Sequence, residues 1–297
     1  VTATYSDNST ANVTSSCTLN PTTSTILTPS HTSVTITYED KTTSQPITIT
    51  VATIASQISA SNYGDSVSYS AGGVTSWSLY YEKSDGRVFI LSNTNIGSRK
   101  LPNTTFYSIS STITNLFMLT NPGVSYTTGY SLNSSYDNSK AVSWMMYQEN
   151  WKSYINSSYA DYAIGGPTLP MFVASYNEKV GSIALNCSRT NSYGYYIGSG
   201  TTTPSASNVE LNSSLKMYFG KGTYWLASPA WTTYYSDYTY YGYKLWTVGN
   251  SGAIISDTYH CCSDLGYNYS FGIYPCVALK SGIKGYWNGS SWVLTGT

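Results

Sequence analysis

The chain has 297 residues, 41% of them hydrophobic and only 9% charged, with 14 Lys and Arg balanced by 14 Asp and Glu. Charge this sparse and this balanced argues against nucleic acid as a partner, since such binding is driven by phosphate neutralisation, and it gives no support to an anionic membrane partner. No apolar run approaches the ~20 residues of a membrane-spanning helix, so direct membrane insertion is not expected.

Residues 1 to about 52 are rich in Thr and Ser. Val34-Thr35-Ile36-Thr37-Tyr38 and Ile47-Thr48-Ile49-Thr50-Val51 alternate apolar and hydroxyl residues, which predicts two strands with one buried face each. Asp7-Asn8 and Glu39-Asp40-Lys41 supply turns. From residue 53 the pattern changes. Ile54 to Ile58 leads to Tyr63-Gly64-Asp65. Two apolar runs, Trp77 to Tyr81 and Val88 to Leu91, then flank Ser84-Asp85-Gly86, a hairpin signal. A first helix is predicted over Lys140 to Ile155, where Ala141, Trp144, Met145, Gln148, Trp151 and Ile155 recur at helical spacing. Trp144, Met145, Met146 and Trp151 are read as its core face. A second helix opens after Gly165-Gly166-Pro167, with Thr168 as N-cap and Pro170 in the first turn, and ends at Gly181.

Beyond Ser182 the pattern is β again and punctuated by glycine. Tyr224-Trp225-Leu226-Ala227-Ser228-Pro229 and Tyr274-Pro275-Cys276-Val277-Ala278-Leu279 read as buried strands. Leu245 to Val248 and Ala253 to Ile255 flank a glycine turn. Gly285 to Trp287 and Ser291 to Leu294 form a terminal hairpin through Asn288-Gly289, expected as type I′. Gly198-Ser199-Gly200 lacks the Gly-Lys-Ser/Thr of a phosphate loop and is read as a plain loop. Two helices among many short, irregular strands make an α+β domain over 53–297.

Ten of the 31 tyrosines lie between Trp231 and Tyr274, interleaved with Ser, Asp, Thr, Asn and Gly. Tyr gives a large, stiff, amphipathic surface, while Ser, Asn and Gly give adaptable hydrogen bonding, which is the composition of a paratope. Ordinary aromatic packing in a sheet is the competing explanation. The cluster lacks alternation with aliphatic residues, and this favours display. Five cysteines stand at 17, 187, 261, 262 and 276, an odd number without C-x-x-C spacing. Mostly free thiols are expected, with a bridge from Cys187 or Cys276 to one of the adjacent pair as the alternative. His31 and His260 are the only histidines, and neither is read as catalytic. No metal site is expected either, because neighbours on one strand point to opposite faces.

Two sets of motifs carry a resemblance. Ala3 to Ser9 followed by Val34 to Tyr38 and Ile47 to Val51 resembles the later part of bacterial immunoglobulin-like surface repeats. A full sandwich of that kind needs more strands than residues 1–52 supply, so Val1 is expected inside a strand with the first strands preceding it. The other reading of this segment is a β-rich subdomain of the next unit. Asp161-Tyr162-Ala163-Ile164-Gly165-Gly166-Pro167-Thr168, with Phe172-Val173 and Ser175-Tyr176-Asn177, is similar to the helical part of C-type-lectin-fold proteins of phages and gut bacteria. Tyr224 to Pro229 and Gly272-Ile273-Tyr274-Pro275-Cys276-Val277-Ala278-Leu279-Lys280-Ser281 extend the similarity. Together they resemble the variable proteins of diversity-generating retroelements, over about Ile54 to Ile283.

That resemblance implies a C-type lectin-like fold whose variable region spans about 231–274 and is diversified at adenine-derived codons. It implies a ligand-binding face made of Tyr234, Tyr235, Asp237, Tyr238, Tyr240, Tyr241, Tyr243, Lys244, Tyr259, His260, Cys261, Tyr267, Tyr269, Ile273 and Tyr274. Trp246, whose codon holds no adenine, is expected as framework. The family closes this region with Gly-Phe-Arg-Pro, whereas this chain reads Gly272-Ile273-Tyr274-Pro275. Lectins of this fold that bind sugar through calcium use Glu-Pro-Asn or Gln-Pro-Asp, and neither is present. No catalytic residue, cofactor or metal is implied. The implied partner is a protein or glycan on a cell surface, and the implied location is a virion tail or a bacterial surface. Two alternatives stay open: a formylglycine-generating-type enzyme of the same fold class, and a self-assembling structural adhesin.

Overall fold

The structure is a computed structural model that describes residues 1–99, 110–117, 144–181, 184–190, 196–201, 217–234, 240–249, 253–255 and 270–297. Side chains are described throughout these residues except at 99, 114, 184–190, 196–201, 229–234, 240–244, 246 and 253–255. The fold is mixed, with many strands and few helices, as the α+β expectation required.

Residues 1–52 hold five short strands. Strands β1 (Thr2–Thr4) and β2 (Thr10–Asn12) pair with each other, while β3 (Thr18–Asn20), β4 (Ser33–Tyr38) and β5 (Lys41–Pro46) form a three-stranded antiparallel sheet in the order β3-β4-β5. β4 is the predicted Val34 to Tyr38 strand. Its partner differs from expectation. The chain reverses through Glu39-Asp40, with Glu39 at φ 51°, and Tyr38 pairs directly with Lys41. The tight reversal commits Lys41–Pro46 to the ladder, so Ile47 to Val51 lies outside every strand. Nor does either face of the sheet close: every β4 residue is half-buried and every β5 residue exposed. Val13 is the one described residue before Ile54 that is buried.

A larger seven-stranded sheet follows. Its members are β6 (Ser66–Ser68), β7 (Trp77–Glu82), β8 (Val88–Ser92), β10 (Ala160–Ile164), β17 (Cys276–Leu279), β18 (Lys284–Trp287) and β19 (Trp292–Gly296). They run in the order β10-β17-β8-β7-β6-β19-β18. The centre, β17-β8-β7, is buried on both faces, which explains why Trp77 to Tyr81, Val88 to Leu91 and Cys276 to Leu279 read as unbroken apolar runs. The predicted β7–β8 hairpin is present, with Gly86 at φ +78° in its loop. The terminal hairpin pairs β18 with β19, but its turn is not type I′. Gly289 takes φ +99° while Ser290 does not go positive, the pattern of type II′. The Asn288 carboxamide oxygen holds the turn by accepting from the Ser290 and Ser291 amides.

Three α-helices lie wholly within the described residues, α1 (Ser111–Leu116), α2 (Gln148–Trp151) and α3 (Leu169–Lys179), and residues 144–146 and 217–219 are helical as well. α3 is the predicted second helix in detail. The Thr168 hydroxyl accepts from the Met171 amide, Pro170 lies in the first turn, and Gly181 leaves the helix at φ +134°. The predicted single helix over Lys140 to Ile155 is a different object. From Trp144 onward it is helical over 144–146, breaks at an extended residue, Tyr147 (ψ 114°), and continues as α2 and a 3₁₀ turn over Lys152–Tyr154; the part before 144 lies outside the described residues. Gln148 accounts for the break, because its carboxamide bonds the amide and carbonyl of Ala163 and so ties this segment to β10. The core role of the group survives: Met145, Met146 and Trp151 are buried and Trp144 packs against them. Asp161 to Ile164, placed by resemblance with a helical part, is strand β10, and the helix starts only past Pro167.

The second large sheet carries the tyrosine-rich region. It contains β9 (Ser98–Arg99), β11 (Ala184–Thr190), β12 (Tyr196–Thr201), β13 (Tyr224–Tyr234), β14 (Tyr240–Val248), β15 (Ala253–Ile255) and β16 (Phe271–Gly272), in the order β11-β12-β15-β14-β13-β16-β9. The Gly198 to Gly200 segment, expected as a loop, lies in β12.

Candidate display face

The base of this sheet is fixed by the Gly165-Gly166-Pro167-Thr168 segment. The Ala227 amide donates to the Pro167 carbonyl, and the Leu169 amide donates to the Ser228 hydroxyl. The Thr168 hydroxyl reaches the Phe117 carbonyl at 2.7 Å. Both glycines are needed for close approach. A Cβ on Gly165 would lie 2.4 Å from the Trp151 ring, and one on Gly166 would lie 2.7 Å from the Trp225 carbonyl oxygen. Small residues thus let β13 lie flush against the start of α3. Tyr224 to Ser228 are all buried in consequence, as the sequence predicted for this run.

Beneath β13 lies an aromatic layer. Phe172 and Tyr176 of α3 meet Tyr218 and Phe219 with ring centroids 5.3 to 5.9 Å apart. The Ser175 hydroxyl donates to the Tyr80 carbonyl and sits 2.6 Å from the Tyr218 hydroxyl, while the Tyr224 hydroxyl donates to the Tyr218 carbonyl. Burial pushes the phenols of Tyr80, Tyr218 and Tyr224 well above their ordinary range. These hydroxyls are structural, held neutral inside the body.

A second anchor lies at the β16 end. The Lys221 ammonium donates to the Ser92 carbonyl and the Asn93 side-chain oxygen, and stands 4.9 Å from the centre of the Tyr274 ring. Burial lowers its pKa to about 8. Asn95 accepts from the Ile273 amide, and the Tyr274 hydroxyl donates to the Lys221 carbonyl. Ile273 is 0% and Tyr274 5% exposed, and the Tyr274 ring packs edge-on to Tyr224. Ile273 and Tyr274 therefore do not belong to the ligand-binding face. They are wedged between the 92–95 loop and the 217–223 turn, and their burial removes the contact area a ligand would use.

From this base the hairpin β13–β14 runs outward in unbroken register from Pro229↔Leu245 to Tyr234↔Tyr240, with β12 alongside at Tyr196↔Ala230. Five of the sequence-predicted site residues lie on it. Tyr234 faces Tyr240 across the ladder, Tyr241 faces Thr233, Tyr243 faces Trp231 and Lys244 faces Ala230. Their side chains lie outside the described ones, whereas Leu245, where the ladder meets the base, is buried. Tyr235, Asp237, Tyr238, Tyr259, His260, Cys261, Tyr267 and Tyr269 lie outside the described residues, as does the side chain of Trp246.

Among the described residues no group of His, Cys, Asp and Glu could hold a metal ion. Cys276 is a free, buried thiol whose pKa burial raises, so it forms no bridge, while the side chain of Cys187 and residues 261 and 262 lie outside the described ones. Cys17 is also free. His31 is occupied locally, with its Nδ1 accepting from the Thr28 amide at 3.0 Å. Sequence reasoning missed Lys221 and Asn95. A buried lysine in so charge-poor a chain was the available signal. No described helix is long and apolar enough to cross a membrane. No family model, no curated protein and no solved structure matches this chain.

Proposed function

We propose that this protein is a hypervariable binding module of the kind that diversity-generating retroelements produce. In this reading residues 53–297 form a C-type lectin-like body that displays a tyrosine-rich surface. The immunoglobulin-like segment before it is a spacer, and the whole is carried on a virion tail or a bacterial surface. The partner is a protein or glycan on a target cell. One observation carries the proposal: a hairpin whose root, Tyr224 to Ser228 with Leu245, Thr247 and Val248, is buried, and whose distal half holds the tyrosine cluster. A rigid root limits the ordering cost of binding, while Tyr side chains supply contact area and hydroxyl donors with few torsions to freeze.

The test is genetic and direct. Sibling copies of the gene, and a template repeat beside a reverse transcriptase, should differ from this one at adenine-derived codons between Trp231 and Tyr269, with Tyr224 to Ser228 fixed. Uniform sequence through that window across siblings would defeat the proposal. Ile273 and Tyr274 mark its edge: substitutions there must preserve packing.

A further inference from the structure

The segment Ile47 to Val51 has the strongest strand pattern in the N-terminal region, yet it belongs to no strand. It is nevertheless held at both ends. The Ile47 amide donates to the Thr32 carbonyl, and the Ala52 carbonyl accepts from the Gly285 amide on β18. Between these anchors the exposure alternates, with Ile47, Ile49 and Val51 half-buried and Thr48 and Thr50 exposed. Among the described residues no backbone hydrogen bond is made from Thr48 to Val51. An ordered strand with an open edge is a template for another strand.

We infer that Ile47 to Val51 pairs with the same segment of a second copy, giving an antiparallel, two-fold dimer centred on Ile49. The partner is argued from the segment itself. Its pattern, apolar at 47, 49 and 51 and hydroxyl at 48 and 50, reads the same in both directions. An antiparallel pairing about Ile49 therefore sets Ile47 against Val51 of the second copy and keeps apolar residues on one face. A two-fold contact requires this self-complementarity. Proteins usually protect edges with charge, proline or bulges. Here no residue from Thr42 to Gly64 is charged, and Pro46 guards only one end. The formal net charge of zero adds no repulsion between copies. The N-terminal region also lacks burial of its own, with Val13 as its single buried residue. Two copies joined here would present two display faces and gain by avidity if the proposed function holds. The pairing itself does not depend on that function.

A five-residue ladder is a small interface, and contacts below about 1,200 Å² are weak. Association should therefore be followed by sedimentation up to about 1 mM protein, alongside amide hydrogen exchange. The expected result is a reversible monomer–dimer equilibrium with protection of the amides between Thr48 and Val51 that rises with concentration. Ile49→Lys sets like charges against each other across the axis and should weaken the dimer by about tenfold or more. Thr43→Lys, on exposed β5, should leave it intact. Thr43→Lys keeps the melting transition of the parent, since Thr43 is exposed; Ile49 is half-buried, so a melt of Ile49→Lys recorded beside sedimentation separates dissociation from unfolding. A monomer at every concentration overturns the inference. So does a dimer that Ile49→Lys does not weaken, or one that forms without protecting these amides, since some other surface would then be pairing.

Discussion

The proposed division between a buried root and a displayed tip is tested most directly by comparing Trp225→Ala with Tyr240→Ser. Trp225 is 0% exposed, and its ring packs 4.8 Å from Phe271 in an edge-on pair. Removing it deletes the indole, leaves a cavity under β13 and abolishes the aromatic contact. Large-to-small changes at buried aromatics cost about 3–5 kcal/mol, and the aromatic geometry contributes ~1 kcal/mol. Domain stabilities are about 5–15 kcal/mol, so the loss is a large share of the total. With roughly 2–4 °C of melting temperature per kcal/mol in a chain of this size, the midpoint should fall by roughly 6–20 °C. Tyr240 lies at the far end of the same hairpin, opposite Tyr234. On the proposed display reading, a substitution there should stay within about 0.5 kcal/mol. Urea denaturation of both variants, followed by far-UV circular dichroism, gives the comparison. Equal losses would refute the reasoning, because the distal tyrosines would then be packing residues in the way Trp225 is.

Three further outcomes follow from the packing. Tyr80, Tyr224 and Tyr274 have phenol pKa values raised above the ordinary 10.0 by burial, and Tyr69 is pushed up to about 12. Their stabilising contribution is complete below pH 10 and is lost as pH rises through the folded values, because only the unfolded chain releases these protons readily. Lys221 has the opposite sign: with its pKa lowered to about 8 from 10.5, it adds stability between those values. Urea midpoints should hold or rise slightly from pH 8 to about 10 and fall steeply above it; a flat profile through pH 12 contradicts this. Gly166→Ala forces a methyl against the Trp225 carbonyl oxygen, 2.7 Å away. It should destabilise by about 1–3 kcal/mol, and a neutral result in thermal melts would show that the α3–β13 contact is looser than described. The Tyr80 hydroxyl is buried with no hydrogen-bond partner among the described residues. Tyr80→Phe should therefore raise stability by about 1 kcal/mol, and a loss of that size by urea titration would mean the hydroxyl has a partner.

What could be read from the sequence was local. Thr168, Pro170 and Gly181 each mark α3 by their own backbone chemistry, and the structure follows them residue for residue. The apolar runs of β7, β8 and β17 announce strands buried on both faces without any knowledge of their neighbours. Two of the misreadings concern which partner a segment takes. Trp144, Met145, Gln148 and Trp151 satisfy a helical period, yet the helix breaks at Tyr147 and the same side chains are still buried or packed on the core once Gln148 bonds Ala163. Ile47 to Val51 satisfies a strand period, but the tight reversal at Glu39 hands the ladder to Lys41–Pro46.

Tyrosine is the hardest letter of this sequence, since it builds the core and also makes up the cluster after Trp231. Tyr80, Tyr176, Tyr218, Tyr224 and Tyr274 are interior residues, and composition alone cannot separate them from the cluster after Trp231. For most of them a neighbour can. Tyr80 follows Leu79, Tyr218 precedes Phe219, Tyr224 precedes Trp225-Leu226, and Tyr274 stands between Ile273 and Pro275. In each case an apolar neighbour commits the local backbone to the interior, and the phenol finds a carbonyl or hydroxyl or is carried in without one. The rule works one way only: Tyr63, Tyr69 and Tyr176 are buried with Asn, Gly or Ser on either side, so a polar neighbour does not mark an exposed tyrosine. By that criterion Ile273 and Tyr274 belonged to the scaffold from the start. Phe271 belongs with them, its ring edge-on to Trp225.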